Sequence, residues 1–451
     1  MPLRTWSVLV LFFAFRVKAA DFPVHHYGAK GDGRTADTAA IQKAIDEAAR
    51  SKGTVTFQPG VYMAGALFLK SGVTFRVDEG VTIRGIQDLA AYPERPTRIA
   101  GIEMTWPSAL INVYEQTDVT ITGRGIIDGQ GKYWWDSYWA LRKQYEPKGL
   151  RWAADYDAKR VRLMQIYKSS NVSLDGLTLR RSGFWTVQLC YSKNITVDGL
   201  TIQNNIGGKG PSTDGIDVDS SSDIIITRCD ISCNDDAICM KAGRDADGLR
   251  VNRPTQNVVV RDCTIREGAA GITIGSETSG GIRNIKVSGL HVLGNVPKGI
   301  CFKSAKVRGG MVQNIDIRDL DLEGVAVPIS IALNWNPSYS YAHIPSDVKN
   351  VPEYWRKLAQ PVTPEQGMPH FRDVQISNIK ATGAKRAFDV AGFASDPIEN
   401  FRFSHLNIQA ASAGTIADAA NWTFTDTNIQ AADGSTVVTA NSRNVQGLAP
   451  Q

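Results

Sequence analysis

A ten-residue pattern recurs nine times along the chain and constrains its fold more than any other feature. Each copy starts with Asn or Asp, continues with alternating apolar residues, and passes through a polar or glycine turn to a second short strand. The copies begin at residues 118, 171, 194, 223, 257, 284, 314, 373 and 400. Starts between 171 and 314 lie 23, 29, 34, 27 and 30 residues apart, which suits one solenoid coil per copy. Because a single coil cannot bury its own apolar face, the pattern predicts one all-β domain, a parallel β-helix of stacked coils.

The segments outside the repeat predict a cap and two excursions. Residues 37–50 carry an amphipathic stripe that includes Ile41, Ala44 and Ile45, and we expect a helix that caps the open end of the solenoid. We assign residues 20–100 to this cap and the first coils, within a single domain over 20–451. The long gaps at 118–171 and 314–373 are rich in Trp and Tyr, and their aromatic residues are candidates for cleft walls or for packing over the solenoid.

The N-terminus resembles a secretory signal peptide over residues 1–19. Arg4 precedes an apolar run at 6–15, and Val17 and Ala19 fit the −3 and −1 positions of a cleavage site. Cleavage would remove three basic residues and lower the formal charge from +5 to +2. We therefore predict a secreted or periplasmic protein that is not membrane-bound after cleavage and has no nucleic-acid partner.

The six cysteines match no zinc-binding spacing. They are Cys190, Cys229, Cys233, Cys239, Cys263 and Cys301. Export would permit disulfides, but a chain of this size does not need them, and we predict buried free thiols.

Three carboxylates are predicted to meet at the entrances of adjacent strands. Aligning the inward apolar pairs, such as Ile216 with Val218 and Ile238 with Met240, places Asp214, Asp236, Ala270 and Lys298 in one column. Neighbouring coils stack about 4.8 Å apart, so Asp214 and Asp236 should lie within roughly 5 Å, with Asp235 beside them.

Such clustering is unfavourable for stability because like charges raise one another's pKa values. A glycosidase nevertheless needs a cluster of carboxyls, since one carboxyl must hold a proton while another is ionised. A bound cation or Asp residues that cap turns are the alternative, and we favour this alternative for Asp217, Asp219 and Asp223.

Six segments of the chain form a distinctive set in their order and spacing. They are YGAKGDGRTADTAAIQKAID from residue 27, PGVYMAGALFLKS from 59, STDGIDVDSS from 212, CNDDAICMKAG from 233, ITIGSETSGGIRNI from 272 and KGICFKSAKVRGG from 298. Together they resemble glycoside hydrolase family 28, the polygalacturonases and rhamnogalacturonan hydrolases. The resemblance implies a right-handed β-helix and an inverting hydrolysis of α-galacturonosidic bonds in pectic polysaccharide or oligosaccharide. It implies that Asp235 is the general acid and that Asp214 and Asp236 activate water. Asp235 must then face the sugar, so we expect a bend there.

Three departures from the family pattern concern substrate binding. Ser212 stands where polygalacturonases carry Asn, and Ala269, Ala270 and Gly271 align with the family's Gly-His-Gly. Cys301, Phe302 and Lys303 align with Arg-Ile-Lys, so the Lys is kept and the Arg is lost. Since Arg is the usual bidentate partner of a carboxylate, we predict an altered galacturonate subsite and a rhamnogalacturonan-like or decorated pectin as substrate.

Five residues are candidates for substrate binding. Lys303 and Lys241 are expected on the face that bears the acids, although Lys241 has an equal claim to a salt bridge with Asp217 or Asp219. The other candidates are Ser212, Glu277 and Arg283. No cofactor or metal is implied, and we expect a monomer.

The same residues are compatible with other functions. The nearest to the predicted one are an ordinary endo- or exo-polygalacturonase that acts on homogalacturonan and a hydrolase of rhamnosidic bonds. A pectate lyase would need Ca²⁺ and a basic residue, and the acid cluster offers ligands for the cation. The last alternative is a noncatalytic carbohydrate-binding β-helix.

Overall fold

The Asn and Asp residues that start the nine repeats form one corner of each coil in a right-handed parallel β-helix. In the computed structural model, which describes residues 20–448, all nine have a φ between 55° and 59°. Asn and Asp tolerate this left-handed conformation better than other side chains. They also bond from coil to coil, as when Asn194 Nδ2 donates to Asn171 Oδ1 at 2.7 Å and Asn284 Nδ2 to Asn257 Oδ1 at 3.1 Å. The predicted β-helix is confirmed, with parallel pairing from coil to coil.

Each coil contributes to three parallel sheets, and the longest strands run across a corner from one sheet into the next. The first sheet contains Leu67–Leu69, Ile111–Tyr114, Met164–Tyr167, Val187–Cys190, Ile216–Asp219, Asp236–Lys241, Ala270–Ile274, Lys298–Lys303, Val327–Ala332 and Val438–Ala440. The second contains Asp21–Pro23, Thr54–Thr56, Thr74–Arg76, Thr117–Thr122, Ser170–Asp175, Lys193–Asp198, Ser222–Thr227, Thr255–Arg261 and Arg443–Gln446. The third contains Asp32–Ala36, Gly60–Ala64, Val81–Gly85, Ile126–Asp128, Thr178–Arg180, Thr201–Gln203, Asp230–Ser232 and Thr264–Glu267. The long strands are Ile282–Asn295, Met311–Glu323, His370–Ala391, Ile398–Ala417 and Ala419–Ala431.

The core runs along the axis of the solenoid and follows the predicted alignment. Ile216 pairs with Ile238, which pairs with Ile272, and Ile272 pairs with Ile300. All four side chains are fully buried. The predicted capping helix spans Thr38–Ser51 and buries Ile41, Ala44, Ile45 and Ala48 against the first coils.

Three insertions cover the outer face of the first sheet. The antiparallel strands Glu94–Ile99 and Ile102–Pro107 form a crossing hairpin, and Gln188 Nε2 donates to Arg98 O at 3.1 Å beneath it. The helical excursion between residues 128 and 164 contains the helices Lys132–Tyr145, Glu146–Lys148, Arg151–Ala153 and Ala154–Asp157. The second excursion, between residues 332 and 370, contains Pro337–Ser340, Glu353–Leu358 and Pro364–Gly367. The remaining helices are Val24–Tyr27, Leu89–Ala91 and Asp245–Val251.

The insertions contact one another, so they form a wall above the sheet. Tyr156 donates its hydroxyl to Ala100 O at 2.8 Å, which joins the helical excursion to the tip of the crossing hairpin. Tyr354 of the second excursion donates to Asp157 Oδ1 at 2.6 Å. Most aromatic residues of the helical excursion are packing residues, since Trp134, Trp135 and Tyr138 are buried.

The prediction of six buried free cysteines is confirmed. Within residues 20–448, no helix is long and apolar enough to cross a membrane. The predicted signal peptide lies outside the described residues and stays a prediction.

Candidate active site

The three predicted carboxylates meet at one end of two neighbouring strands of the first sheet. An oxygen of Asp214 and an oxygen of Asp236 lie within 4.8 Å of each other, together with Cys239 Sγ. Gly215 makes this approach possible, because a Cβ there would lie 2.3 Å from the Ala237 carbonyl oxygen. The predicted bend is present at Asn234 and Asp235, and Asp236 begins the strand. The bend lets Asp235 line the cleft while it accepts a hydrogen bond from Asp236 N at 3.0 Å.

Asp236 is held in its ionised form. Lys303 Nζ donates to Asp236 Oδ2 at 2.7 Å, and Thr273 Oγ1 donates to Oδ1 at 2.9 Å. Burial alone would raise the pKa of Asp236, but Lys303 and Lys241 outweigh it and lower the pKa. The carboxylate is therefore suited to accept a proton from water.

The pKa values of the neighbouring carboxyls are shifted in the opposite direction. Burial and the charge of Asp236 raise the pKa of Asp235. Burial, followed by the charge of Asp235, raises the pKa of Asp214 to about 8. Burial also raises the pKa of Asp217 well above its usual range, with Asp214 adding to the effect. The cluster thus lowers the pKa of Asp236 and raises the pKa values of its neighbours, a separation that acid and base catalysis by two carboxyls requires.

Lys241 lies among three acids. Its Nζ is 3.4 Å from Asp214, 3.5 Å from Asp217 and 3.5 Å from Glu277, and it lies 5.0 Å from the centre of the Trp185 ring. The salt bridge to Asp217 that was the alternative for Lys241 is therefore present. Asp219 instead pairs with Arg98 of the crossing hairpin at 2.8 Å. A turn role for Asp217 is wrong, because the residue is buried within the acid cluster.

A buried ion cluster beside Asp214 was not predicted from the sequence. Ser212, in a left-handed conformation with a φ of 51°, donates to Asp155 Oδ1 at 2.8 Å. Asp155 also accepts from Arg151 at 2.8 Å and from Arg160 at 2.7 Å. These partners come from the helical excursion, whose sequence shows only an i,i+4 pairing of Arg151 with Asp155 and no sign that it reaches Ser212.

A cleft lies beside these groups and contains about 420 Å³ of space, part of which is open solvent. Its residues are Ala100, Arg151, Asp155, Phe184, Trp185, Ser212, Asp214, Asp235, Lys241, Ser276, Glu277, Trp335 and Tyr339. Trp335 and Tyr339 confirm that the second excursion supplies aromatic cleft walls. Trp335 also covers Lys303, whose Nζ lies 4.4 Å from the ring centre.

Arg283 is not brought to this cleft, and its assignment to the site is wrong. It precedes the corner residue Asn284 on the second sheet, where it is exposed and donates to Gln256 at 2.8 Å. The chain has turned away from the first sheet by that point. The predicted residues Ser212, Lys241 and Glu277 do line the cleft, and Lys303 lies behind Asp236.

The positions that depart from the family pattern carry short side chains next to the acids. Ala270 pairs with Asp236, and Cys301 pairs with Thr273. Both are buried. All six histidines fall within the described residues, and none lines the cleft.

A β-helix with an acid cluster of this kind defines a class of polysaccharide-cleaving glycosidases, and comparisons with known proteins agree. The family model of the glycosyl hydrolases family 28 matches residues 55–352. A probable polygalacturonase of Vitis vinifera is 29% identical over 91% of this chain and 78% of its own length. An endo-polygalacturonase of Pectobacterium carotovorum is 30% identical over 67% of this chain and 73% of its own. The structure of an exopolygalacturonase from Thermotoga maritima has a TM-score of 0.73, with 27% identity and 95% of each chain covered.

The chain belongs to glycosyl hydrolases family 28. It is a polygalacturonase-family glycoside hydrolase that acts on pectin.

Proposed function

We propose that this enzyme removes a terminal galacturonic acid residue from a rhamnogalacturonan-like oligosaccharide, with inversion at the anomeric carbon. Asp235 donates its proton to the glycosidic oxygen. Asp236 accepts a proton from the attacking water, and Asp214 orients that water. The oxygens of Asp214 and Asp236 lie within 4.8 Å of each other, so a single water molecule can contact both.

The crossing hairpin is the observation that carries the proposal of terminal attack. It crosses the coil that precedes the acid cluster, where Gln188 Nε2 donates to Arg98 O at 3.1 Å, and its Arg98 pairs with Asp219 with both side chains fully buried. A hairpin at this position would obstruct a polysaccharide that continued along the sheet toward the N-terminal coils. The name of the Thermotoga maritima enzyme, an exopolygalacturonase, supports this mode of action.

The substrate proposal follows from the direction along the sheet that the crossing hairpin leaves open. With the N-terminal side blocked, the rest of the substrate must extend toward the coils that carry Ala270 and Cys301. These positions offer neither an imidazole nor a guanidinium to a second uronate. A rhamnose, which has no carboxylate, needs no cation from these positions.

A lyase mechanism finds less support in the acid cluster. Lys303 and Lys241 already supply positive charge to Asp236 and Asp214, where a lyase would need a divalent cation. The arrangement favours hydrolysis by an acid and a base.

Product analysis tests the proposal. The enzyme is incubated with saturated rhamnogalacturonan oligosaccharides that end in galacturonate and, separately, with homogalacturonan oligosaccharides. Mass spectrometry should detect saturated galacturonic acid, mainly from the first set. Equal turnover of homogalacturonan would replace the substrate proposal with ordinary polygalacturonase action, and products of mixed length from either set would contradict terminal attack.

A further inference from the structure

The recognition of the uronate carboxylate requires a cation, and the two predicted lysines are already engaged. Lys241 is shared by Asp214, Asp217 and Glu277. Lys303 is bonded to Asp236 and covered by the ring of Trp335. A substrate carboxylate would have to compete with Glu277 at Lys241 and with Asp236 at Lys303.

Arg151 is the other cation among the residues that line the cleft. Its Nη1 donates to Asp155 Oδ2 at 2.8 Å, and its guanidinium lies 5.1 Å from the centre of the Tyr339 ring. Its Nε is buried and has no hydrogen-bond partner anywhere in residues 20–448. The edge of the guanidinium that carries Nε and Nη2 therefore has an unused donor, and this edge has the fork geometry that matches a carboxylate.

The charges around Asp155 leave Arg151 uncompensated. Asp155 also pairs with Arg160, which is fully buried behind it at 2.7 Å. Burial would raise the pKa of Asp155, but the two guanidinium groups outweigh it and lower the pKa. One carboxylate thus faces two guanidinium groups, and the cluster carries one net positive charge at the wall of the cleft.

We propose that Arg151 binds the carboxylate of the galacturonate in the cleft, through its Nε and Nη2 edge. The inference rests on the proposed function and deepens it, because it names the group that selects a uronic acid over a neutral sugar. Ser212 and Asp155 fix the position of Arg151, and Tyr339 packs against its plane. A cation from outside the solenoid thereby serves in place of the arginine that is absent at Cys301.

Substitutions at Arg151 test this role. Arg151→Gln removes the charge, and Arg151→Lys keeps it without the fork. The matched control is Arg142→Gln on the same excursion, where Arg142 pairs with Glu146 at 2.7 Å and does not line the cleft. The substrates are an oligosaccharide with a terminal galacturonate and the same oligosaccharide with that carboxyl reduced to the primary alcohol.

The ratio of kcat/KM between the two substrates is the decisive quantity. The Gln variant should lose on the order of 100-fold in kcat/KM on the uronate substrate and little on the reduced one. The ratio of its kcat/KM values on the two substrates should therefore approach 1. The Lys variant should regain part of the preference, and Arg142→Gln should keep all of it. A Gln variant that keeps the native preference overturns the proposal. If the Gln variant does not fold, the Lys variant decides, because an unchanged preference there contradicts a forked contact.

A binding measurement separates this proposal from the proposed function. Calorimetry on Asp235→Asn measures the binding of galacturonic acid and of galactose without turnover. Preferential binding of galacturonic acid that disappears in the Asp235→Asn, Arg151→Gln double variant supports the subsite even if the native enzyme hydrolyses neither oligosaccharide set. Equal binding of the two sugars to Asp235→Asn contradicts it.

Discussion

Lys303 Nζ lies 2.7 Å from Asp236 Oδ2, although two coil steps of the solenoid separate the two residues along the first sheet. Both side chains are almost completely buried. Lys303 therefore determines the ionisation of Asp236, the carboxylate that we place next to the attacking water.

Lys303→Met should lower kcat/KM by about 100-fold or more, because Asp236 loses its charged partner. The pKa of Asp236 should rise, so the acid limb of the kcat/KM profile should move to higher pH. The control is Lys298→Met, which changes a partly exposed lysine at the start of the same strand. An acid limb that stays in place would contradict the assignment of Asp236 as the base.

The loss of activity in Asp235→Asn should depend on the leaving group of the substrate. General acid catalysis contributes about 10²–10⁴-fold, and it matters most where the leaving oxygen is a poor leaving group. We expect a loss of that size on an oligosaccharide and a much smaller loss on an aryl galacturonide, whose phenolate needs no proton. Asp236→Asn should be impaired on both substrates. Equal losses on the two substrates for Asp235→Asn would argue against its role as the acid.

Asp214→Asn should stabilise the fold in a pH-dependent manner. The pKa of Asp214 is raised from 3.8 to about 8 in the folded chain, so the folded state binds a proton that the unfolded state has released. The native protein therefore loses stability as pH rises from about 4 to about 8, and the Asn variant is spared this loss. We expect a Tm gain of about 2 °C or more near pH 8 that vanishes below about pH 4. A gain that does not vary with pH would mean that Asp214 is ionised in the fold.

The corner residue Asn284 should show two separable contributions to stability. Asn284→Gly keeps the left-handed conformation and loses the side-chain hydrogen bond to Asn257, at a cost of about 1 kcal/mol. Asn284→Ala also forces a Cβ without a polar group into that conformation and should cost about 1 kcal/mol more. Urea denaturation measures both variants. Equal stability of the two would show that the backbone conformation contributes nothing.

The sequence predicted the features that depend on stacking alone. Asn or Asp at each corner and the inward apolar pairs fix the register of neighbouring coils, and this register brings Asp214 to Asp236. Arg283 immediately precedes the corner residue Asn284, so it lies on the second sheet and not beside the acids. Arg151 and Arg98 could not be placed, since each reaches the site from an insertion whose course over the sheet depends on tertiary contacts with distant residues.

The stereochemistry of the first product tests the central claim most directly. Proton NMR during the first minutes of hydrolysis of a galacturonate-terminated oligosaccharide should show free, saturated β-galacturonic acid before mutarotation, with the remaining chain one residue shorter. This result is required if Asp235 protonates the leaving oxygen while Asp236 activates water on the opposite side. Initial release of the α-anomer, or of an unsaturated product, would contradict the account.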